Sequence, residues 1–421
     1  MGKLAIALLT VSLIGCASDR TGRAVTVRDS AGVRIVDNHV PDWSPETAWT
    51  VDAEPILDIG PEQTDSTPLF RLQDIVGIAG HLAVLNAGSS EVLLFDSVGT
   101  LLRRVGRRGS GPGEFAQLRN LYRCGSDTLV VNDGSRISVF DSAGTFVRTE
   151  SVESRSEDGL IRVRGVARNC STFLLAGTIS PAPAPGQVGR ISTLMFWGSL
   201  RGGVRDTIGM LAGVQVETRN VQGRNLPVSL PWGADGASGL RGDRLYSGST
   251  DRSEIRVFER SRGLVEVHRW PSQARPVAAE DRALYESRRD WLLQRSPGIR
   301  DVVPPLDQFP SIPSTVPEFR SILVDDEGNL WLRSYPAFIA GRPDLYDVDV
   351  PMRHSPPPGD EPELWIVIDP SGRWLGGIRV PADLAVRSVY RSRVIGVWKD
   401  VLDVEHVRAY RIHRPERDST R

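Results

Sequence analysis

The feature that most limits how this chain can fold is a unit that recurs every 45 residues. Leu82-Ala83-Val84-Leu85, then Glu91 to Phe95, then Asp96-Ser97-Val98-Gly99-Thr100 leading into Leu101-Leu102-Arg103 describe two apolar strands and a turn into a third. Leu129-Val130-Val131, Arg136 to Phe140, Asp141-Ser142-Ala143-Gly144-Thr145 and Phe146-Val147-Arg148 repeat the pattern. Phe70 to Phe115, Phe95 to Phe140 and Gly99 to Gly144 are each 45 residues apart. Within a unit apolar and polar residues alternate along short strands, and each Asp-Ser-x-Gly turn ends in a glycine that can take the positive φ of a tight hairpin. The unit is a β-meander, and its repetition dictates architecture because one meander cannot bury both of its faces.

Fainter copies follow: Phe173 to Ala176 with Ile191 to Phe196, Leu245 to Ser247 with Glu254 to Phe258, Leu330 to Leu332 with Trp365 to Gly372, and Val389 to Trp398 with Val407 to Ile412. Six such sheets arranged radially can each pack on the next. Gly32 to Val36 and Trp49 to Ile59 are strand-like but precede the first full unit, and Leu57-Asp58-Ile59-Gly60 aligns with Arg103-Arg104-Val105-Gly106. The expectation is therefore a single all-β domain whose ring is closed by N-terminal strands joining the last blade. A ring of blades accounts for the length without dividing the chain into several domains.

Two motifs make the likeness specific. Gly106-Arg107-Arg108-Gly109-Ser110-Gly111-Pro112-Gly113-Glu114-Phe115, followed by Asn132-Asp133-Gly134-Ser135-Arg136-Ile137, resembles the blade linker and strand start of NHL-type six-bladed β-propellers. Asp29-Ser30-Ala31-Gly32-Val33 is similar to the N-terminal signature of their lipoprotein branch. The run Gly106 to Gly113 lacks the Gly-Lys-Ser/Thr ending of a phosphate-binding loop and leads to a strand, so Gly106, Gly109, Gly111, Gly113 and Phe115 are read as an inter-blade linker. Phe115 is expected to plug the gap between neighbouring sheets.

The first residues carry a second resemblance. Lys3, the apolar run Leu4 to Ile14, and Leu13-Ile14-Gly15-Cys16 resemble the signal peptide and lipobox of bacterial lipoproteins. The run is shorter than the roughly 20 apolar residues needed to span a bilayer, which argues against a transmembrane anchor. The resemblance implies removal of residues 1–15 and acylation of Cys16, with membrane attachment through the acyl chains. Ala17 and Ser18, with no aspartate there, imply an outer-membrane address. The expected layout is a tether at 16–28, the propeller at 29–414 and a tail at 415–421.

Composition excludes more than it assigns. A formal net charge of -1 argues against a nucleic-acid binder, and no apolar run after Cys16 reaches spanning length. Cys124 and Cys170, in an exported chain, are either a disulfide or two buried thiols. No G-x-S-x-G, H-E-x-x-H or paired C-x-x-C is present. His39, His81, His268, His354, His406 and His413 are scattered. Asp74, Asn86, Asn132 and Asp133 near strand starts are read mainly as turn formers, and alternatively as axial oxygen ligands for calcium, which six-bladed lactonases hold. Asp344, Asp347 and Asp349 read as an exposed acidic turn.

One long excursion, 271–316, separates the fourth and fifth units. Pro276 with Glu280 and Asp281 opens a helix, Leu284, Trp291 and Leu292 share one face, and a proline-rich run follows. It is either a rim ornament or a lid over the channel. The functional expectation is a monomeric, lipid-anchored binding or scaffolding module for a protein or saccharide ligand without a catalytic constellation. The alternative is a metal-dependent hydrolase or lyase, lactonase-like, with its site at the axis.

Overall fold

Each 45-residue unit becomes a four-stranded blade because its turns are locked from within. Asp96 Oδ1 accepts the N–H groups of Val98 and Thr100 at 3.0 and 2.8 Å, and Asp141 repeats this with Ala143 and Thr145 at 3.0 and 2.7 Å. These amides hold both carboxyls below the ordinary aspartate range, with the Thr100 and Thr145 N–H groups first among the causes. Gly99 and Gly144 sit at φ 91° and 76°. A Cβ on Gly144 would lie 2.5 Å from Val105 Cγ2 of the preceding blade, so the turn is also a contact between blades.

The computed structural model describes residues 24–64, 68–134, 136–152, 155–156, 159–177, 181–200, 205–295, 297–335 and 362–415. Six antiparallel sheets form blades, and the architecture is a six-bladed β-propeller, nearly all β with one α-helix among the described residues. The blades begin with the inner strands Leu72–Ile78, Asn120–Cys124, Gly159–Val166, Gly236–Arg241, Phe319–Val324 and Ala385–Val389. Middle strands such as His81–Asn86 and Glu91–Phe95 are buried nearly throughout rather than on alternate residues, because a blade is covered by a neighbour on each face.

Apolar clusters fill all six gaps. Val84 and Leu93 meet Ile395 and Val407 between blades six and one, while Phe115 lies with Leu94, Val105, Leu129 and Phe140 between one and two. Trp331 and Leu375 pack with Val394 and Tyr410 between five and six. Each buried aromatic or aliphatic side chain contributes about 1.5–3 kcal/mol relative to exposure, so the ring is held by interfaces rather than by a central core. At blades two and three, Cys124 and Cys170 are joined by a disulfide across the gap.

The ring closes as expected through Leu57–Ile59 and Thr50–Val51, which pair with Glu405–His413 as the outer edge of blade six. The strand Val33–Asn38 departs from expectation. It adds in parallel to Gly263–Arg269, the outer strand of blade four, and carries Val25–Ser30 as a further edge strand. Buried Asn38 explains this placement: Nδ2 donates to Arg269 O of blade four and Gly372 O of blade five, and Oδ1 accepts Trp374 N–H at 2.8 Å. Residues 25–28, expected in the tether, are already strand. Cys16, the signal segment, His354, Asp344, Asp347 and Asp349 lie outside the described residues.

Candidate functional site

The linkers between strands alternate between two ends of the ring. One end holds tight turns, such as 79–80 and 96–100, while the other holds the crossings between blades and the links from second to third strands. At this second end the chain departs from the repeat. The strands Val188–Arg190, Gln215–Val221 and Arg224–Ser229 form an accessory three-stranded sheet, drawn from inside blade three and from the crossing to blade four. Sequence reasoning missed it, although Gln222-Gly223, at φ 52° and 81°, is a two-residue hairpin signal between alternating segments.

The 271–316 insertion packs on this sheet. Its neck closes by Val277 N–H to Ser314 O at 2.9 Å and Val316 N–H to Arg275 O at 3.0 Å. Asp281 does what its place at the start of the helix Ala279–Arg295 suggests, accepting Ala278 N–H and pairing with both nitrogens of Arg275 at 2.6 and 2.8 Å. Burial pushes its carboxyl up, but Arg275 and the Ala278 amide outweigh this and hold it below the ordinary range. The side chains of Leu284, Trp291 and Leu292 lie outside the described residues. Tyr285, Phe309 and Ile312 of the insertion meet Val188, Val228 and Leu230 of the accessory sheet.

Two cavities open along that junction. The larger, about 550 Å³, is lined by Glu217, Thr218, Arg219 and Asn220 of the sheet and by Arg289, Arg300 and Gln308 of the insertion. Arg219 pairs with Glu217 at 2.8 Å and stacks over Phe309 at 5.0 Å, while Arg289 donates to Val303 O. The smaller, about 430 Å³, lies between Trp232, Asp251 and the stretch 311–317. Arg190 reaches from the accessory sheet into blade four, where it binds Ser249 Oγ at 2.8 Å and lies 3.6 Å from Asp251. Burial pushes the nearby Asp235 carboxyl above the ordinary range, against the pull of Gly236 N–H, Arg190, Arg164 and Arg320.

The residues singled out as axial oxygen ligands are used elsewhere. Asp74 accepts Leu121 N–H at 2.9 Å and ties blade one to blade two. Asn86 bonds Phe70 N–H and Pro68 O, Asn132 bonds Gly134 N–H, and Asp133 holds Arg136 at 2.9 Å. His39, His268, His406 and His413 are separately engaged with Thr26, Glu266, Asp58 and Asp52. Among the described residues no three of His, Cys, Asp and Glu gather in a metal-holding group. The six inner strands carry Arg123, Arg162, Arg164, Arg241, Arg320 and Arg387 and the acid Asp74, and Arg164 and Arg320 act on Asp235 beside the blade-four strand.

The glycine linker shows why the motif has its spacing. Gly106, at φ 78°, leaves room for Phe115, whose Cε2 would lie 2.1 Å from a Cβ there. Gly109 N–H reaches Phe115 O, Gly111 N–H reaches Glu114 Oε2, and Arg136 caps the loop through Ser110 O and Glu114 O. Gly113 supplies a second positive φ, of 72°.

A family model described as a 6-bladed beta-propeller, DUF5128, matches residues 59–153, the stretch in which the repeat is strongest. No curated protein matches the chain. Among solved structures, it is similar to a candidate exported protein of Bacteroides fragilis at 10% identity, covering 91% of this chain and 100% of that one, with a TM-score of 0.47. A member of the DUF4221 family from Bacteroides vulgatus shares 12% identity over 88% of this chain and 99% of that one, at TM-score 0.47. A gluconolactonase from Xanthomonas campestris shares 12% identity over 88% and 99%, at TM-score 0.38. Likenesses at this level say nothing of activity.

Proposed function

We propose that the chain is an exported lipoprotein of NHL-like type, anchored through Cys16 in the outer membrane, that uses its propeller as a binding module. The working surface is the end bearing the accessory sheet and the helical insertion, and the ligand is a protein or saccharide. The observation that supports this reading is that both described departures from the repeat rise from the same end and meet there over a polar cleft of about 550 Å³. Rigid rings with functional loops on one face are a common binding arrangement, whereas at the opposite end the fully described links are short turns. Among the described residues no helix is long and apolar enough to cross a membrane.

The test uses a photo-reactive amino acid in living cells. Placed at Asn220 or Arg300 beside the cleft it should form adducts, and placed at Val98 or Ala143 among the tight turns it should not. Equal adducts from both ends, or none from the cleft, would overturn the assignment of the face. Labelled fatty acid separately reads the anchor: incorporation should vanish in Cys16→Ser, and labelling of that variant equal to wild type would end the lipoprotein reading.

A further inference from the structure

The accessory sheet has two edges, and the sequence treats them differently. In an antiparallel pair, residues opposite each other either both turn their backbone groups to the partner strand or both turn them away. Thr218 stands opposite Pro227, and its N–H and C=O turn away from that strand, to Gln187 O at 3.2 Å and Gly186 N–H at 2.7 Å. Pro227 therefore faces outward on the far edge, exposed, at a place where it has no N–H to offer a further strand. Proline so placed is one of the ways in which proteins close an edge to added chain.

The near edge carries no such guard. Val188–Arg190 covers Gln215 to Glu217, Gly186 and Gln187 extend the cover to Thr218, and at Gly186, φ 76°, the chain turns off the sheet. Two residues beyond Thr218, Asn220 points its N–H and C=O the same way, and among the described residues no backbone bond meets them. Asn220 is exposed and lines the cleft of about 550 Å³ together with Pro185 and Gly186, while the insertion supplies Arg289, Arg300 and Gln308. The cleft is thus bounded on one side by a strand edge whose partner stops short. Charge narrows the occupant further. Glu217 is matched by Arg219 at 2.8 Å, and Arg289 lies 3.3 Å from Asp290. Arg300 is exposed and has no ion pair among the described residues, so it is the unmatched charge of the lining.

We propose that the cleft binds an extended polypeptide segment as an added strand, bonded through its backbone to Asn220 in continuation of Val188–Arg190, with an acidic side chain set against Arg300. The inference rests on the reading of the cleft as the binding surface and selects polypeptide over saccharide. An extended peptide repeats N–H and C=O groups at the spacing of the ladder it joins, and a sugar chain does not.

The test places a photo-reactive amino acid at Gln308, on the cleft wall, in the full-length protein in living cells, with the adducts digested and weighed by mass spectrometry. They should carry a polypeptide segment. Asn220→Ala keeps the backbone N–H and should keep the adducts, whereas Asn220→Pro removes it and should lower them at least tenfold. Asn225→Pro puts the same ring on the guarded edge and should change nothing, and Arg300→Gln should lower the yield severalfold. Should Asn220→Pro lower the melting midpoint, the captured segment decides as a synthetic peptide titrated into wild type. N-methylation of one alternating set of its residues should weaken binding at least tenfold, and of the other set should not. Adducts of saccharide alone, adducts undiminished by Asn220→Pro or by Arg300→Gln, an equal loss in Asn220→Ala, or equal effects of the two methylated sets would overturn the added strand while leaving the cleft as the binding surface. No adducts from any position on the cleft would end both.

Discussion

A residue in this ring answers to the next blade as much as to its own. Gly144 shows both demands: φ of 76° asks for glycine, and Val105 Cγ2 stands 2.5 Å from where a Cβ would be. Gly223, at φ 81° in the accessory hairpin, has nothing within 4 Å. Gly223→Ala should thus cost the backbone strain alone, about 1–2 kcal/mol. Gly144→Ala adds overpacking of about 1–3 kcal/mol against the preceding blade. Urea unfolding of the two variants separates the effects, and equal losses would mean that Val105 yields freely. The aspartate of the same turn was legible from the Asp-Ser-x-Gly pattern, but the interblade contact was not, since Val105 and Gly144 meet only when two meanders stand side by side.

At the scale of elements, the disulfide joins the end of the inner strand Asn120–Cys124 to the tight turn that follows Gly159–Val166. It closes a separation of 46 residues, which on the chain-entropy account contributes about 4 kcal/mol through the unfolded state. Cys170→Ser should lower the urea midpoint by a corresponding amount, and reductant should bring wild type down to the variant. Intact-mass measurement after alkylation without reductant checks the premise, because two modified thiols would remove the bond. The sequence left this pairing undecided between a bond and two thiols: equal spacing before two strands places the cysteines at similar points of successive blades, but does not state the distance across the gap. The accessory sheet escaped reading for a related reason. Its third strand, Val188–Arg190, is three residues long and finds its partner across the whole of blade three's outer half.

For the whole molecule, closure is the decisive event. The strands Leu57–Ile59 and Thr50–Val51 complete blade six, whereas Val25–Asn38 only widens blade four. Removing residues 24–36 should keep one sharp calorimetric transition at a lower midpoint, with Asn38 still stapling blades four and five. Removing 24–59 should abolish the sharp transition, since blade six loses its outer edge and the Ile59–Val84–Val407 cluster opens. A sharp transition in the longer deletion would show that closure rests elsewhere.

The 45-residue period, the Asp-x-x-Gly turns and the glycine linker were enough to determine a ring of six blades and the identity of its closing strand, because each depends on local periodicity and on turns that the chain carries within itself. Which outer edge would receive Val33–Asn38 was not determined, since edges in several blades present the same unpaired backbone, and the bonds of Asn38 to Arg269 and Gly372 and of Arg34 to Glu266 and Ser371 select one. Arg164, Arg320 and Arg387 are likewise unremarkable in a chain whose basic residues are nearly all arginine, and only the pairing of their strands with the next shows each to be the inserted residue of a bulge.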